Sequence, residues 1–331
     1  MILVVSLNPA LDVTYEVSSV HWAGVNRPHT VHVRPGGKGV NVARTLRALG
    51  ADVTLVGLVG GSAGGELLDR LAGSGITLSL TWIGGQTRRT LTVVDGGREQ
   101  AALFNEPGPA IEAGEFGEFF FRYEKTVARC SAVVLAGSLP RGVGDAAYAE
   151  LIEAAGPVPT ILDTSGAALA LGAATGPTLV KPNLAELAGA AGRDLPDEVA
   201  VERAARELSR GATVVSLGAD GLLAVDGDQS WLARPGGPVP GNPTGAGDAV
   251  VAGLADGLVR GLDWPGRLRH AVALGSATVS SPVAGEYAAD AYDHHFANIA
   301  IRKNDNEKIG DRNNRFRNVD FRGTAGSDGA D

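Results

Sequence analysis

Short apolar runs that are hydrophobic at nearly every position, rather than at every second one, punctuate this chain. The first is ILVVSL at 2–7. A run of this kind suits a strand buried on both faces, as in parallel sheets covered by helices. DVTLVGLVG (52–60), SAVVLAGSLP (131–140), PTILDTS (159–165), PTLVKPN (177–183) and ATVVSLGADG (212–221) repeat it. Helical patterns lie between them. VNVARTLRALG sets Val40, Ala43, Leu46 and Leu49 near helical spacing before Gly50. GGELLDRLAGSG (64–75), DAAYAELIEAAG (145–156), NLAELAGAAG (183–192) and VERAARELSRG (201–211) behave alike. The alternation predicts an α/β fold with a doubly wound, mostly parallel sheet in three layers.

Two stretches break the alternation. Residues 11–34 and 87–105 read as strands of period two, with DGG at 95–97 as a hairpin turn. They predict a small β-layer from about 12–34 and 87–104, serving as a lid, a dimer surface, or both. From about residue 291 the composition shifts. Asn298, Asn304, Asn306, Asn313, Asn314 and Asn318 crowd the end, and no leucine follows Leu274. The expectation is one domain over 1–290 and an atypical tail at 291–331 without ordered structure.

Net charge is −8 with 44% hydrophobic residues, which argues against a nucleic-acid footprint. Cys130 is the one cysteine, so no internal disulfide forms. The start carries no basic, signal-like region, and no apolar stretch spans a membrane. A cytoplasmic protein is expected.

Four segments carry chemistry. Thr244-Gly245-Ala246-Gly247-Asp248 precedes a small-residue helix running to about Arg260. Free N–H groups at a helix start favour an anion, and Asp248 would stay ionised there as a weak base. A helix capped by Thr244 explains the segment equally well. Pro35-Gly36-Gly37-Lys38-Gly39-Val40-Asn41 is a second glycine-rich helix mouth, with a cation and an amide. No Ser or Thr follows the lysine, so it is not a Walker A loop. Asp12 follows the first strand, where open α/β sheets bind ligands. Lys181-Pro182-Asn183 leads to Glu186; the Asn183–Glu186 spacing suits Mg²⁺ or a capping box. GGSAG at 60–64 matches a nucleophile elbow, but His270 is the one late histidine outside the tail and falls in a helical pattern. His21, His29 and His32 make no metal set with a single distant cysteine.

Seven motifs stand in order: NPALD (8–12), GGKGVNVA (36–43), TRRT (87–90), GSLP (137–140), KPNLAE (181–186), SLGADG (216–221) and TGAGD (244–248). Together they resemble the ribokinase-like (PfkB-type) carbohydrate kinases over about 1–285. The pattern is most similar to the hexose-phosphate branch, 1-phosphofructokinase first, then tagatose-6-phosphate kinase and the minor 6-phosphofructokinase. The resemblance implies a ribokinase-like fold and an ATP-dependent sugar-phosphate kinase using Mg²⁺. Asp248 would be the base, and Gly245, Ala246 and Gly247 the anion hole. Asp12, Gly37 and Asn41 would bind sugar hydroxyls. Lys38, Arg88, Ser138 and Arg27 would bind the phosphate already on the sugar. Lys181, Asn183, Glu186, Ser216, Gly218, Gly221 and Thr244 would serve ATP, with Asn183 and Glu186 on Mg²⁺. A homodimer through the β-layer is implied. A catalytically silent sugar-binding or regulatory protein is the alternative of another class.

Overall fold

The computed structural model describes residues 1–98, 100–281 and 286–304. The chain starts with β1 (Ile2–Ser6), β2 (Ala10–Val17), β3 (Thr30–Gly36), α1 (Lys38–Ala48), β4 (Val53–Gly60), α2 (Gly61–Leu71) and β5 (Thr77–Ile83). Next come β6 (Arg88–Asp95), β7 (Gln100–Asn105), α3 (Ala113–Val127), β8 (Ala132–Ala136), α4 (Ala147–Ala155), β9 (Thr160–Asp163) and α5 (Gly166–Ala174). β10 (Leu179–Val180), α6 (Leu184–Ala191), α7 (Glu198–Leu208), β11 (Ala212–Ser216), β12 (Leu222–Asp226) and β13 (Gln229–Arg234) follow. α8 (Ala246–Val259), α9 (Trp264–Val279), α10 (Ala289–Ala297) and β14 (Ala300–Asn304) complete it.

Ten strands form the main sheet in the order β14-β13-β12-β11-β10-β9-β8-β1-β4-β5. From β5 to β11 the pairing is parallel, and β12, β13 and β14 add antiparallel strands at one edge. The apolar runs are apolar throughout because both faces are covered. In β1, Ile2 and Val4 enter one core with Val40, Leu46 and Val251, while Leu3 and Val5 enter the other with Phe119, Tyr148 and Leu151. Winding reverses between β1 and β8, and the crevice past their carboxyl ends is where such sheets hold ligands. Among the described residues no helix is long and apolar enough to cross a membrane.

The two period-two stretches form a separate four-stranded sheet, β3-β2-β6-β7. Asp12 lies opposite Arg34 on β3 and Thr90 on β6. Opposed residues share a face, and so do residues two apart. Asp12, Arg34, Thr90 and Arg88 therefore line one side of this sheet, at the end nearest β1.

The tail expectation needs correction for residues 291–304; residues 305–331 lie outside the described ones. Helix α10 buries none of its residues fully. It docks through Tyr292, whose hydroxyl lies 2.7 Å from His270 Nδ1. β14 pairs with β13 from Ser230↔Asn304 to Arg234↔Ala300. Arg302 and Asn304 donate to the buried Glu198 carboxylate at 2.6 and 2.9 Å. Polar attachment of this kind leaves no amphipathic period in the sequence.

Candidate active site

Helix α8 starts at Gly245, whose φ of 82° is left-handed and favours glycine. The expected Thr244 cap does not form. The Thr244 N–H donates to Asn242 Oδ1 at 2.9 Å, and no side chain caps α8. The Ala246 N–H donates back to the Pro243 carbonyl at 3.1 Å, which leaves the Gly245 and Gly247 N–H groups of this opening turn available to an anion. Asp248 follows in that turn and is buried. Asn41, one turn into α1, donates to Asp248 Oδ2 at 2.8 Å. Burial pushes the Asp248 pKa up, and the Asp163 charge adds to it. The Asn41 hydrogen bond, Lys38 and Lys181 oppose the rise, and the value settles at about 7.

The second glycine mouth meets the first. Gly37 is the N-cap of α1, again without a side-chain cap. A Cβ on Gly36 would collide with the Asp12 carboxylate, so Gly36 is what lets Asp12 lean across. Lys38, at the head of α1, turns to carboxylates. Its Nζ lies 3.3 Å from Asp163 Oδ1 and 3.8 Å from Glu186 Oε1. Burial works against its charge, but Asp163, Glu186 and Asp248 outweigh burial and raise its pKa. Lys181, buried after β10, also lies 3.3 Å from Asp163 Oδ1. The other oxygen, Asp163 Oδ2, is buried with no partner.

On the other side of α1 stands an arginine-rich group. Burial raises the Asp12 pKa, against a Thr90 hydrogen bond and the charges of Arg88 and Arg44. Arg88 donates to the carbonyls of Asn8 at 3.1 Å and Glu106 at 3.3 Å. Burial lowers the Arg88 pKa, opposed by Asp12 and Glu106. Ser138, just past β8, accepts from Asn8 Nδ2 at 3.2 Å. Arg44 and Arg34 flank Glu286 at 2.7 and 3.7 Å. Arg27 does not join them. It is exposed in the β2–β3 loop, at the end of the second sheet remote from Asp12.

Residues expected to serve a nucleotide form the third side. Asn183 and Glu186 make a reciprocal capping box at the mouth of α6: Glu186 N–H donates to Asn183 Oδ1 at 2.7 Å, and Asn183 N–H to Glu186 Oε2 at 2.8 Å. The Asn183 oxygen expected on Mg²⁺ is thus engaged by the backbone, and Glu186 keeps Oε1 toward Lys38. Ser216 N–H donates to the Pro182 carbonyl at 3.0 Å, tying this mouth to the turn that holds Gly218 and Gly221.

Asp163 is the residue that sequence reasoning missed. The signal was present: Asp163 ends an apolar strand at its carboxyl edge, the place that singled out Asp12. Asn8 was also missed, although it opens the NPALD motif. His270 meets Asp256 at 3.0 Å and the Tyr292 hydroxyl at 2.7 Å, and no hydrogen bond joins it to Ser62 among the described residues, so the nucleophile elbow lacks its base there. His29 and His32 lie 3.8 and 3.7 Å from Glu16, and no group of three or more ligand-type side chains that could hold a metal occurs among the described residues. Mg²⁺ needs no such group, since it keeps several waters and takes one or two carboxylates beside substrate phosphates. The unpartnered Asp163 Oδ2 fits that requirement, with Glu186 Oε1, 3.8 Å from Lys38 Nζ, as the second carboxylate oxygen.

A family model, pfkB family carbohydrate kinase, matches residues 4–290. The chain is 38% identical over 283 residues to a 1-phosphofructokinase of Rhodobacter capsulatus, covering 83% of this chain and 90% of that protein. The structure of phosphofructokinase-2 from Escherichia coli in complex with potassium superposes with a TM-score of 0.83 at 30% identity, covering 89% of this chain and 98% of that one. The tetrameric inhibited form of the same Escherichia coli protein matches with a TM-score of 0.81, at the same identity and coverage.

Proposed function

The chain belongs to the pfkB family of carbohydrate kinases, and on that premise we propose that it transfers the terminal phosphoryl group of ATP to fructose 1-phosphate, giving fructose 1,6-bisphosphate and ADP. One observation carries the reading: buried Asp248, at an uncapped glycine mouth, is held by Asn41 within the field of two lysines. A carboxylate with a pKa of about 7 can take a proton from a sugar hydroxyl near neutral pH. The Gly245 and Gly247 N–H groups of this turn would receive the phosphoryl oxygens, and positioning plus charge would lower most of the barrier.

Asp12, Gly37 and Asn41 would hold the sugar hydroxyls. Arg88 and Ser138, organised by Asn8, would hold the phosphate already on the sugar. Arg27 would reach that phosphate only from a second copy or after movement of its loop. Lys181, Ser216, Gly218 and Gly221 would line the nucleotide. Asp163 and Glu186 would hold Mg²⁺, which supplies charge neutralisation on the triphosphate. An intact, poised Asp248 disfavours a silent sugar-binding protein. The second sheet would join two copies through its side away from Asp12.

The test is ADP release measured with fructose 1-phosphate, fructose 6-phosphate, tagatose 6-phosphate, fructose and ribose. Fructose 1-phosphate is expected to give the highest kcat/KM. A higher value for tagatose 6-phosphate or fructose 6-phosphate would reassign the substrate within the family. Turnover of the unphosphorylated sugars alone would overturn the sugar-phosphate reading.

A further inference from the structure

The family resemblance implies that Lys38 binds the phosphate the sugar already carries, but its position points to another job. The stem of Lys38 passes Gly137, the neighbour of Ser138. Its head then leaves the acceptor side. Nζ ends between Asp163 on β9 and Glu186 on α6, at 3.3 and 3.8 Å. It also feels the charge of Asp248 on α8. These three carboxylates mark the two ends of the transfer path, Asp248 at the accepting hydroxyl and the other two on the nucleotide side. The body of the hexose separates that hydroxyl from the phosphate the sugar brings. A cation in this place lies along the transfer path, away from the phosphate the sugar brings.

The local energetics agree. A lysine in the first turn of a helix faces the positive end of the dipole, which disfavours it. Here the carboxylates hold it. Its side chain remains 39% exposed, so an incoming anion can reach the ammonium. Lys38 and Lys181 both use Asp163 Oδ1. Asp163 Oδ2 has no partner, so at Asp163 a metal and Lys38 would use different oxygens, while both face Glu186 Oε1.

We propose that Lys38 binds the phosphoryl group in transit rather than the phosphate already on the sugar, its ammonium moving from Asp163 to a non-bridging phosphoryl oxygen. The bond from phosphorus to the nucleotide oxygen breaks, and its electron pair stays with ADP. The sugar oxygen forms the new bond and its proton goes to Asp248. Lys38 keeps all its protons and acts as charge. The inference rests on the kinase reading above.

The experiment compares wild type, Lys38→Met, Lys38→Arg and Arg88→Ala in steady state, with calorimetric titrations of fructose 1-phosphate alone and of ADP with aluminium fluoride in its presence. Lys38→Met is expected to lower kcat about 100- to 1,000-fold, the range for losing one transition-state donor. Its KM and Kd for fructose 1-phosphate are expected within about threefold of wild type, because uniform substrate binding is untouched. Binding of the ADP–aluminium fluoride phosphoryl mimic is expected to weaken about tenfold or more, and Lys38→Arg to recover part of kcat. Arg88→Ala is expected to raise KM for the sugar phosphate about tenfold or more. A Lys38→Met enzyme with near-normal kcat, or with weakened binding of the sugar phosphate alone, overturns the proposal, and unchanged binding of the mimic does so even if that variant is inactive. A wild type that turns over no sugar phosphate sinks the kinase reading and this inference together; an active wild type with the opposite Lys38 pattern sinks this inference only.

Discussion

Asp248 carries a conflict that can be measured. Burial and Asp163 raise its pKa to about 7, yet a base must be ionised to act. The expected kcat profile is flat above about pH 7 and falls roughly tenfold per unit below it, as one carboxylate protonates. Asp248→Asn is expected to lower kcat by orders of magnitude while ATP still binds; near-normal turnover would remove Asp248 as base. Stability responds with a defined sign. The raised pKa means the folded state holds its proton more tightly than the unfolded chain. That contribution is complete below the unfolded value of 3.8 and is lost as pH rises through about 7. Asn cannot ionise, so urea unfolding is expected to show Asp248→Asn gaining roughly 3 kcal/mol more over wild type at pH 8 than at pH 5. A gain that does not change with pH would contradict this origin. Much of this site was legible in the sequence, because glycine-rich mouths and an acidic first turn are local patterns. Asp163 was not read, although it ends an apolar strand, since its partners Lys38 at the head of α1 and Lys181 after β10 meet it only in the folded sheet.

At the scale of elements, the parallel strands and their helices announce themselves by burial, and the second sheet by its alternation. What the sequence hides is attachment through polar groups. β14 is the clearest case. Glu198 and Glu202 on α7 are both buried. Glu198 accepts from Arg302 and Asn304, and Glu202 accepts from Ser230 Oγ at 2.8 Å and from Asn304. Two carboxylates thus share one amide, and removing it leaves charge in a low-dielectric place. Asn304→Ala is expected to cost about 1–3 kcal/mol in denaturant unfolding, the penalty for stranding buried acceptors. Replacing Glu202 with Gln in the same chain is expected to return part of that loss, because a neutral amide is cheaper to bury than a carboxylate. Equal stability of Asn304→Ala and wild type would mean that the Asn304 amide does not hold β14, leaving Arg302 and the backbone pairing to do so.

The whole molecule presents a sheet with two unlike sides. One side of the second sheet carries Asp12, Arg34, Thr90 and Arg88 to the crevice beyond β1. Register puts Val13, Tyr15, Val31, Leu91, Val93 and Phe104 on the other side. Val31 and Phe104 are 53% and 51% exposed. A β-layer with one apolar, partly open side is a candidate for burial against a symmetric copy, and a twofold contact uses the same patch on both chains. Such a pairing gives Arg27 a route to a sugar phosphate, since the exposed β2–β3 loop at the far end of one sheet would approach the partner's body. Sedimentation is expected to give twice the 33.8 kDa chain mass for wild type. Val31→Asp with Phe104→Asp places two charges where the copies meet and is expected to yield the single-chain mass, with KM for the sugar phosphate raised and thermal unfolding of the separated chain still cooperative. A wild type that sediments as one chain, or a double variant that stays paired, would remove this side of the sheet as the contact and leave Arg27 without a route through the partner.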